Sequence, residues 1–353
     1  MTTATDEMRI DPEEMREAAQ RLLADMLDRR AAWEGKNEIA ATLEAEISEL
    51  GWYQLIASET LGGLGQSFAA LAPVYEELGK SLAPVWLSGT MAAIDALQSA
   101  GDLGSDWAAA IVEQAWRVAP VILPHGQAGG AHCLPMVPGA PEATHLLIVE
   151  EGGRAILAEN AAPGVSVVPV QTWDLGRSYG EVEVVGLADG IGSIDAALVL
   201  PVLRAHLELA LAWDSVGGAG QCLTETVEYM LGRQQFGRPI ASFQALKHRA
   251  ADHKVAIELA RSLAGRASGL FADRAEGWSV MAAQARILAC DAYAAMAEDA
   301  IQMFGGVGFT WEYNPHLFLK RALVNRIIGG SPDAVRDRIA DEVCSRALGT
   351  RTV

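Results

Sequence analysis

The sequence predicts a mostly α-helical protein with a small β domain in its middle, and three observations carry that prediction. Amphipathic helical periodicity fills both ends of the 353-residue chain. Between about 121 and 200 the composition shifts to Gly, Pro and β-branched residues. Half of all residues are apolar, enough for a substantial buried core. The expected order is an N-terminal helical domain over 1–120, a shortened β domain over 121–200 and a C-terminal helical bundle over 201–353.

In the first part, helical patterns cover 13–30, 38–49, 67–81 and 85–100, broken by Gly and Pro. The link Leu61-Gly-Gly-Leu-Gly65 lacks the G-x-G-x-x-G spacing and a preceding strand, so it reads as a turn rather than a phosphate loop. Candidate strands follow at 145–150, 154–158, 165–170 and 180–185. They are too few for an independent sandwich, which leaves helices to cover their apolar faces. Long Ala-rich helical patterns return over 202–232, 243–271 and 277–304, with a last one over 333–348. Short links between them imply a helical bundle, interrupted at Gly305, Gly306 and Gly308.

A formal charge of −18 opposes binding to nucleic acid or to an anionic membrane surface. No apolar run reaches the roughly 18 to 20 residues of a membrane span, and the start, Met1 to Pro12, is acidic where a signal peptide is basic. A soluble, cytoplasmic protein is the expectation. The four cysteines, Cys133, Cys222, Cys290 and Cys344, form no C-x-x-C pair, and the seven histidines form no H-x-x-x-H pair. His125 and His132 sit in a Gly/Pro-rich stretch without neighbouring ligands, so no metal site is expected.

Two segments carry the chemistry. Arg233-Gln-Gln-Phe-Gly-Arg-Pro-Ile-Ala-Ser-Phe-Gln244 leaves one helix and enters the next. Its Arg233 suits a diphosphate through bidentate donors, Phe236 offers a face for an aromatic ring and Gln244 a polar contact. An interhelical loop with a buried Phe is the alternative reading of the same residues. In Gln302-Met-Phe-Gly-Gly-Val-Gly-Phe-Thr-Trp-Glu312 the glycines let backbone N–H groups approach a diphosphate, or simply break a helix.

The first segment resembles the R-x-x-F-G-x-P-x-x-x-[FHL]-Q signature of the acyl-CoA dehydrogenases. The second is similar to that family's Q-x-x-G-G-x-G-[FY]-x-x-E stretch, which reaches the FAD of a neighbouring subunit. Leu50-Gly-Trp-Tyr53, the Leu61 to Gly65 link and Glu76-Glu-Leu-Gly79 resemble N-terminal landmarks, so the likeness spans nearly the whole chain. The resemblance implies an acyl-CoA dehydrogenase-like fold, with a helical domain, a β domain and a C-terminal four-helix bundle in that order, an acyl-CoA substrate and FAD held by Arg233, Gln235, Phe236, Phe243, Gln244, Gln302, Gly305 and Gly306.

The chain also departs from the family. Desaturation of a thioester needs a carboxylate to take the α-proton. The commonest family position for that Glu falls on Gly329, which cannot take a proton. The second, 26 residues before Arg233, falls on Leu207; its neighbour Glu208 points about 100° away around the helix. Leu203, Leu207, Leu211 and Asp214 lie within about 80° of one another, so Asp214 falls inside an apolar stripe. Burial raises a carboxylate's pKa and suits it to proton abstraction, which makes Asp214 the candidate base. Against that, Asp214 lies about 10 Å along the helix from Leu207, and a hydrogen-bonded structural Asp is the alternative.

The β domain lacks the family's flavin-lining stretches as well. Residues 121–130 stand where T-E-P-x-x-G-S-D is usual, and W-I-T has no counterpart. Such losses resemble the α/β heterotetrameric acyl-CoA dehydrogenases of steroid degradation, in which two unlike subunits share a site. The resemblance implies a subunit that desaturates a bulky acyl-CoA with a homologous partner, passing electrons to an electron-transfer flavoprotein. A noncatalytic scaffold that completes the partner's FAD pocket, or a flavin monooxygenase or oxidase on the same fold, stays open at this point.

Overall fold

The computed structural model describes residues 10–34, 37–124, 131–186 and 192–347. The chain divides into two compact units, one of Met1–Glu14, Met26–Leu71 and Pro84–Leu207, the other of Met15–Asp25, Ala72–Ala83 and Glu208–Val353.

The helices of the N-terminal part are α1 (Pro12–Met26), α2 (Arg29–Trp33), α3 (Asn37–Glu49), α4 (Phe68–Lys80), α5 (Leu87–Leu97) and α6 (Gly101–Glu113). The single helix expected over 13–30 is broken. Asp28 adopts an extended backbone and its carboxylate accepts the Ala31 N–H at 3.1 Å, starting a new helix where the first could have continued. The helix α6 is absent from the sequence expectation because it opens on Gly101, whose φ of +79° reads as a break. Every residue of α5 is buried, which makes it the centre of its unit.

The strands are β1 (Val118–Leu123), β2 (Ala131–Pro138), β3 (His145–Glu150), β4 (Arg154–Glu159), β5 (Val165–Val170), β6 (Tyr179–Val185) and β7 (Ile194–Asp195). They form two sheets, of order β1-β3-β4-β7 and β2-β6-β5. The prolines that hid β1 and β2 from a propensity reading, Pro120, Pro135 and Pro138, all lie on edge strands, where a missing N–H costs no ladder bond. The two sheets bury one face against each other, where Val121, Ile148 and Ala158 from one share a core with Val137, Val182 and Val184 from the other. The expected helical cover holds for the first sheet, whose Leu147, Val149 and Leu157 are also buried and whose β1 packs against α5.

In the second unit lie the end of α4, most of α7 (Ala196–Gly232), the hairpin β8 (Gln234–Gln235) and β9 (Arg238–Pro239), α8 (Gln244–Ala272), α9 (Trp278–Phe304), α10 (Pro315–Ile327) and α11 (Pro332–Ala347). The helix α7 starts six residues before the expected 202, because Asp195 Oδ1 accepts the Ala197 N–H at 2.9 Å and Pro201 is carried inside it. It is long and apolar enough to cross a membrane by length and composition, with mean hydropathy 1.5, and 61% of that window is buried in the protein. The helix α10 escaped the sequence reading because Arg321 and Asn325 stand among its buried positions and break the apolar period. Where α4 meets α7 the backbones touch: a Cβ built on Gly79 would lie 2.0 Å from the Asp214 carbonyl oxygen, and one on Gly217 2.0 Å from that of Glu76.

Candidate functional site

The segment from Arg233 to Gln244 folds as a tight hairpin followed by the start of α8. Gln234 pairs with Pro239 and Gln235 with Arg238, leaving Phe236 and Gly237 as the two-residue turn, with φ of +54° and +76°. Two left-handed residues match a type I′ turn, whose twist suits a hairpin. Glycine adopts it freely, whereas a phenylalanine there is strained by about 1–2 kcal/mol. That strained ring is also 90% exposed. It meets Phe243 edge-on at 6.1 Å between centroids, and the Arg238 guanidinium lies 4.2 Å from the centroid of the Phe243 ring. Arg233, Gln235 and Gln244 are exposed on the same segment, and Phe243 is half-buried.

The second segment caps α9. Gly305 ends the helix with φ +67° and ψ −143°, a conformation open to glycine, and its N–H is bonded to the carbonyls of Gln302 and Ile301. A Cβ built on Gly305 or Gly306 would meet nothing within 4 Å, so the backbone there lies open. Gln302 is exposed beside it.

An aromatic cluster ties the two segments to the same end of the bundle. Tyr229, one turn before Arg233, stacks on Phe304 with centroids 4.1 Å apart, and Tyr313 packs edge-on against both rings at 5.2 Å. The Tyr229 hydroxyl donates to the Phe304 carbonyl at 3.3 Å, and Asn314 Nδ2 donates to Glu225 Oε2 at 2.9 Å. Sequence reasoning missed Tyr229, Tyr313 and Glu225; the signal was a helical spacing from Glu225 through Tyr229 to Arg233 that puts all three on one face.

Asp214 is paired with residues of α10. Its Oδ2 accepts from Asn325 Nδ2 at 2.7 Å, and its Oδ1 lies 3.9 Å from the guanidinium of Arg321, which is 0% exposed. The inward position of Asp214 does not come from an apolar stripe: every residue of α7 from Glu208 to Ala219 is buried, while Leu207 is half-buried. Asp214→Asn is expected to lower stability by about 2 kcal/mol by leaving the Arg321 charge without its carboxylate, measured as a denaturant midpoint.

Gly329 lies in a turn between α10 and α11, with φ +70°, followed by Gly330 at +111°. The buried Arg286 of α9 grips this turn. Its guanidinium donates to the carbonyls of Ile328, of Gly329 at 3.3 Å and of Gly330 at 2.7 Å. Behind it Glu208, also buried, lies 4.0 Å from Arg286 and bonds to Arg338. A Cβ on Gly329 would lie 3.7 Å from Arg286 Nη1, so a side chain there would face a cation. The residues 125–130 of the stretch standing where T-E-P-x-x-G-S-D is usual lie outside the described residues.

Residues 205–344 match the family model described as acyl-CoA dehydrogenase, C-terminal domain, and residues 11–103 match acyl-CoA dehydrogenase, N-terminal domain. The acyl-CoA dehydrogenase IpdE2 of Mycobacterium tuberculosis is 35% identical over 306 residues, covering 84% of each chain. IpdE2 of Mycolicibacterium smegmatis is 30% identical over 344 residues, 94% of this chain and 99% of the relative. Among solved structures, a variant of the Tcur3481–Tcur3483 steroid ACAD superposes with a TM-score of 0.82 at 24% identity over 98% of this chain and 100% of the other. The ChsE4–ChsE5 complex of Mycobacterium tuberculosis superposes with a TM-score of 0.80 at 23% identity over 94% and 97%. With both domains matched and full-length relatives at 30% identity or more, the chain belongs to the acyl-CoA dehydrogenase family, whose members are FAD-binding flavoproteins.

Proposed function

We propose that this chain is one subunit of a cytoplasmic, FAD-dependent acyl-CoA dehydrogenase that works with a homologous partner, introduces a Cα–Cβ double bond into a bulky acyl-CoA and hands electrons to an electron-transfer flavoprotein. The observation that carries the reading is the strained, 90% exposed ring of Phe236 beside the exposed Arg233, at the same bundle end as the open backbone of Gly305 and Gly306. Leaving such a ring in water forfeits about 2 kcal/mol of burial, a cost that a docked cofactor ring or partner surface offsets.

The exposed residues fit FAD as one side of a site. Arg233 offers a fork of donors to a diphosphate, Gly305 and Gly306 present no side chain to obstruct it, and Phe236 with Gln235 and Gln244 suits a ring and its polar edge. When bound, FAD supplies the acceptor for the hydride that leaves Cβ. The α-proton needs a carboxylate, and Gly329 provides none; the partner subunit is the proposed source. Asp214, held by Asn325 and Arg321, is assigned to the bundle interior. A steroid acyl-CoA is the proposed substrate class, supported by the fold likeness to the Tcur3481–Tcur3483 steroid ACAD.

The test is purification of the chain with and without a homologous partner subunit. Bound FAD and dye reduction by a steroid acyl-CoA are expected from the pair only, and full activity of this chain alone would sink the shared-site reading. In the pair, Arg233→Ala with Phe236→Ala is expected to weaken FAD retention about tenfold or more. Undiminished flavin in that variant would remove these residues from the site.

A further inference from the structure

The first unit encloses a cavity of about 230 Å³ at the Val118 end of β1, between α3, the entry to α5 and the turns that follow β2 and precede β6. That is many times the roughly 10–15 Å³ one water needs and less than the about 300–1,000 Å³ of a site for a drug-sized ligand, so its occupant is a small molecule. Its walls are held in place. The buried Asp174 carboxylate accepts the Gly176 N–H and the Tyr179 hydroxyl, both at 3.1 Å, and so shapes the turn that presents Arg177 and Ser178. Thr90 of α5 accepts the Val118 N–H at 2.9 Å. Trp86 packs against both turns: the Arg177 guanidinium lies 4.8 Å from its ring centroid, and a Cβ built on Gly139 would lie 3.5 Å from its Cβ. On the helical side Ala32, Ala40 and Ala41 leave space that longer side chains would fill.

The charges choose the occupant. Glu44 and Glu142 line the cavity together with Arg117 and Arg177, two charges of each sign. A ligand with a net charge would be left uncompensated there, whereas a zwitterion matches the lining. Glu142 is engaged by the Ser178 hydroxyl and Arg177 by Trp86. Glu44 and Arg117 are held loosely. The mostly buried Glu44 carboxylate accepts from the Tyr53 hydroxyl at 3.4 Å and from Arg117 Nη1 at 3.5 Å, both at the long limit of a hydrogen bond. Burial pushes the Glu44 carboxyl above its usual value, opposed by Arg117 and reinforced by Glu142, and an added ammonium offsets that penalty. An acid and a guanidinium this close suit a ligand whose ammonium and carboxylate are one carbon apart, the carboxylate facing the arginine fork. Val85, Leu175 and the alanines supply apolar wall for a side chain. We infer that this cavity binds a free α-amino acid with a small apolar side chain, its ammonium at Glu44 and its carboxylate at Arg117.

The inference goes beyond the flavin reading and does not depend on it, because its test needs no cofactor and no turnover. Titration calorimetry is run on the full chain, alone and with its homologous partner subunit, using glycine, L-valine and L-leucine. Saturable binding of valine or leucine is expected, tighter than that of glycine. Isovalerate and isobutylamine, which are valine without its amine and without its carboxylate, are expected to bind about tenfold more weakly or worse. Glu44→Gln, Arg117→Met and the cavity-filling Ala40→Leu are each expected to weaken valine or leucine binding about tenfold or more, with folding checked by circular dichroism. The single-charge ligands need no variant, so they decide the matter even where a variant fails to fold. A solvent-filled cleft that binds none of the three amino acids in either preparation, isovalerate or isobutylamine binding as tightly as valine, or binding indifferent to both Glu44→Gln and Arg117→Met would each overturn the proposal.

Discussion

Gly217→Ala is expected to destabilise the protein by about 3 kcal/mol or more, a fall of roughly 4 °C in Tm. The reason is geometric. The new Cβ would lie 2.0 Å from the Glu76 carbonyl oxygen and 3.0 Å from the Lys80 N, and both obstacles are backbone atoms of α4. No rotamer change relieves such a clash; two helices must move apart, and the core between them opens. Gly79→Ala meets the same obstruction from the other side, against the backbone of Asp214. Gly220→Ala, three residues further along α7, supplies the contrast. Its Cβ would approach only Arg261 Nη2, at 3.9 Å, so the better helix propensity of alanine is expected to leave stability unchanged or raise it by about 0.5–1 kcal/mol. Thermal melts of the three variants decide the matter, and a Gly217→Ala protein that melts like the wild type would contradict the backbone contact.

Arg286→Met is expected to cost about 3–5 kcal/mol, comparable to breaking a buried ion pair. Three carbonyls of consecutive residues converge on its guanidinium, and none of them can turn to another donor without reshaping the turn. Glu208 retains Arg338 but loses the neighbouring charge of Arg286. Arg286→Lys is expected to recover only part of the loss, because an ammonium cannot span three acceptors as a planar fork does. Chemical denaturation measures the stability, and hydrogen exchange over the Ile328, Gly329 and Gly330 amides measures the turn itself. Protection of those amides equal to the wild type in Arg286→Met would show that the turn holds without the arginine. The same geometry explains why the absence of a carboxylate at Gly329 runs deeper than one substitution: the Cα–Cβ direction there faces Arg286, so an acid at 329 would meet a guanidinium first.

Much of the layout was legible locally. The strands at 145–150 and 165–170 fall on β3 and β5, and 38–49 falls within one residue of α3, because alternation and helical period are properties of neighbouring residues. The motif from Arg233 to Gln244 was readable as a turn between helices, and its two-residue hairpin follows from Gly237 and Pro239. Other elements were hidden for identifiable reasons. Prolines masked β1 and β2, since only the assembled sheets reveal that these are edges. Buried Arg321 and Asn325 broke the apolar period of α10, and a glycine start disguised α6.

By itself the sequence determined the order of helical and β segments and the family, and it singled out the residues proposed to meet a flavin. Each rests on local pattern or on a motif of fixed spacing. The tertiary structure alone decided which polar residues are interior and what they hold. It buried α7 on every side from Glu208 to Ala219, so a stripe could not single out Asp214, and gave that carboxylate to Asn325 and Arg321. It stacked Tyr229 on Phe304 to bring the two motif segments to one end of the bundle. Partners so far apart in the chain are chosen by packing and by the cost of leaving a buried polar group unbonded, and neither is encoded in the periodicity of a single segment.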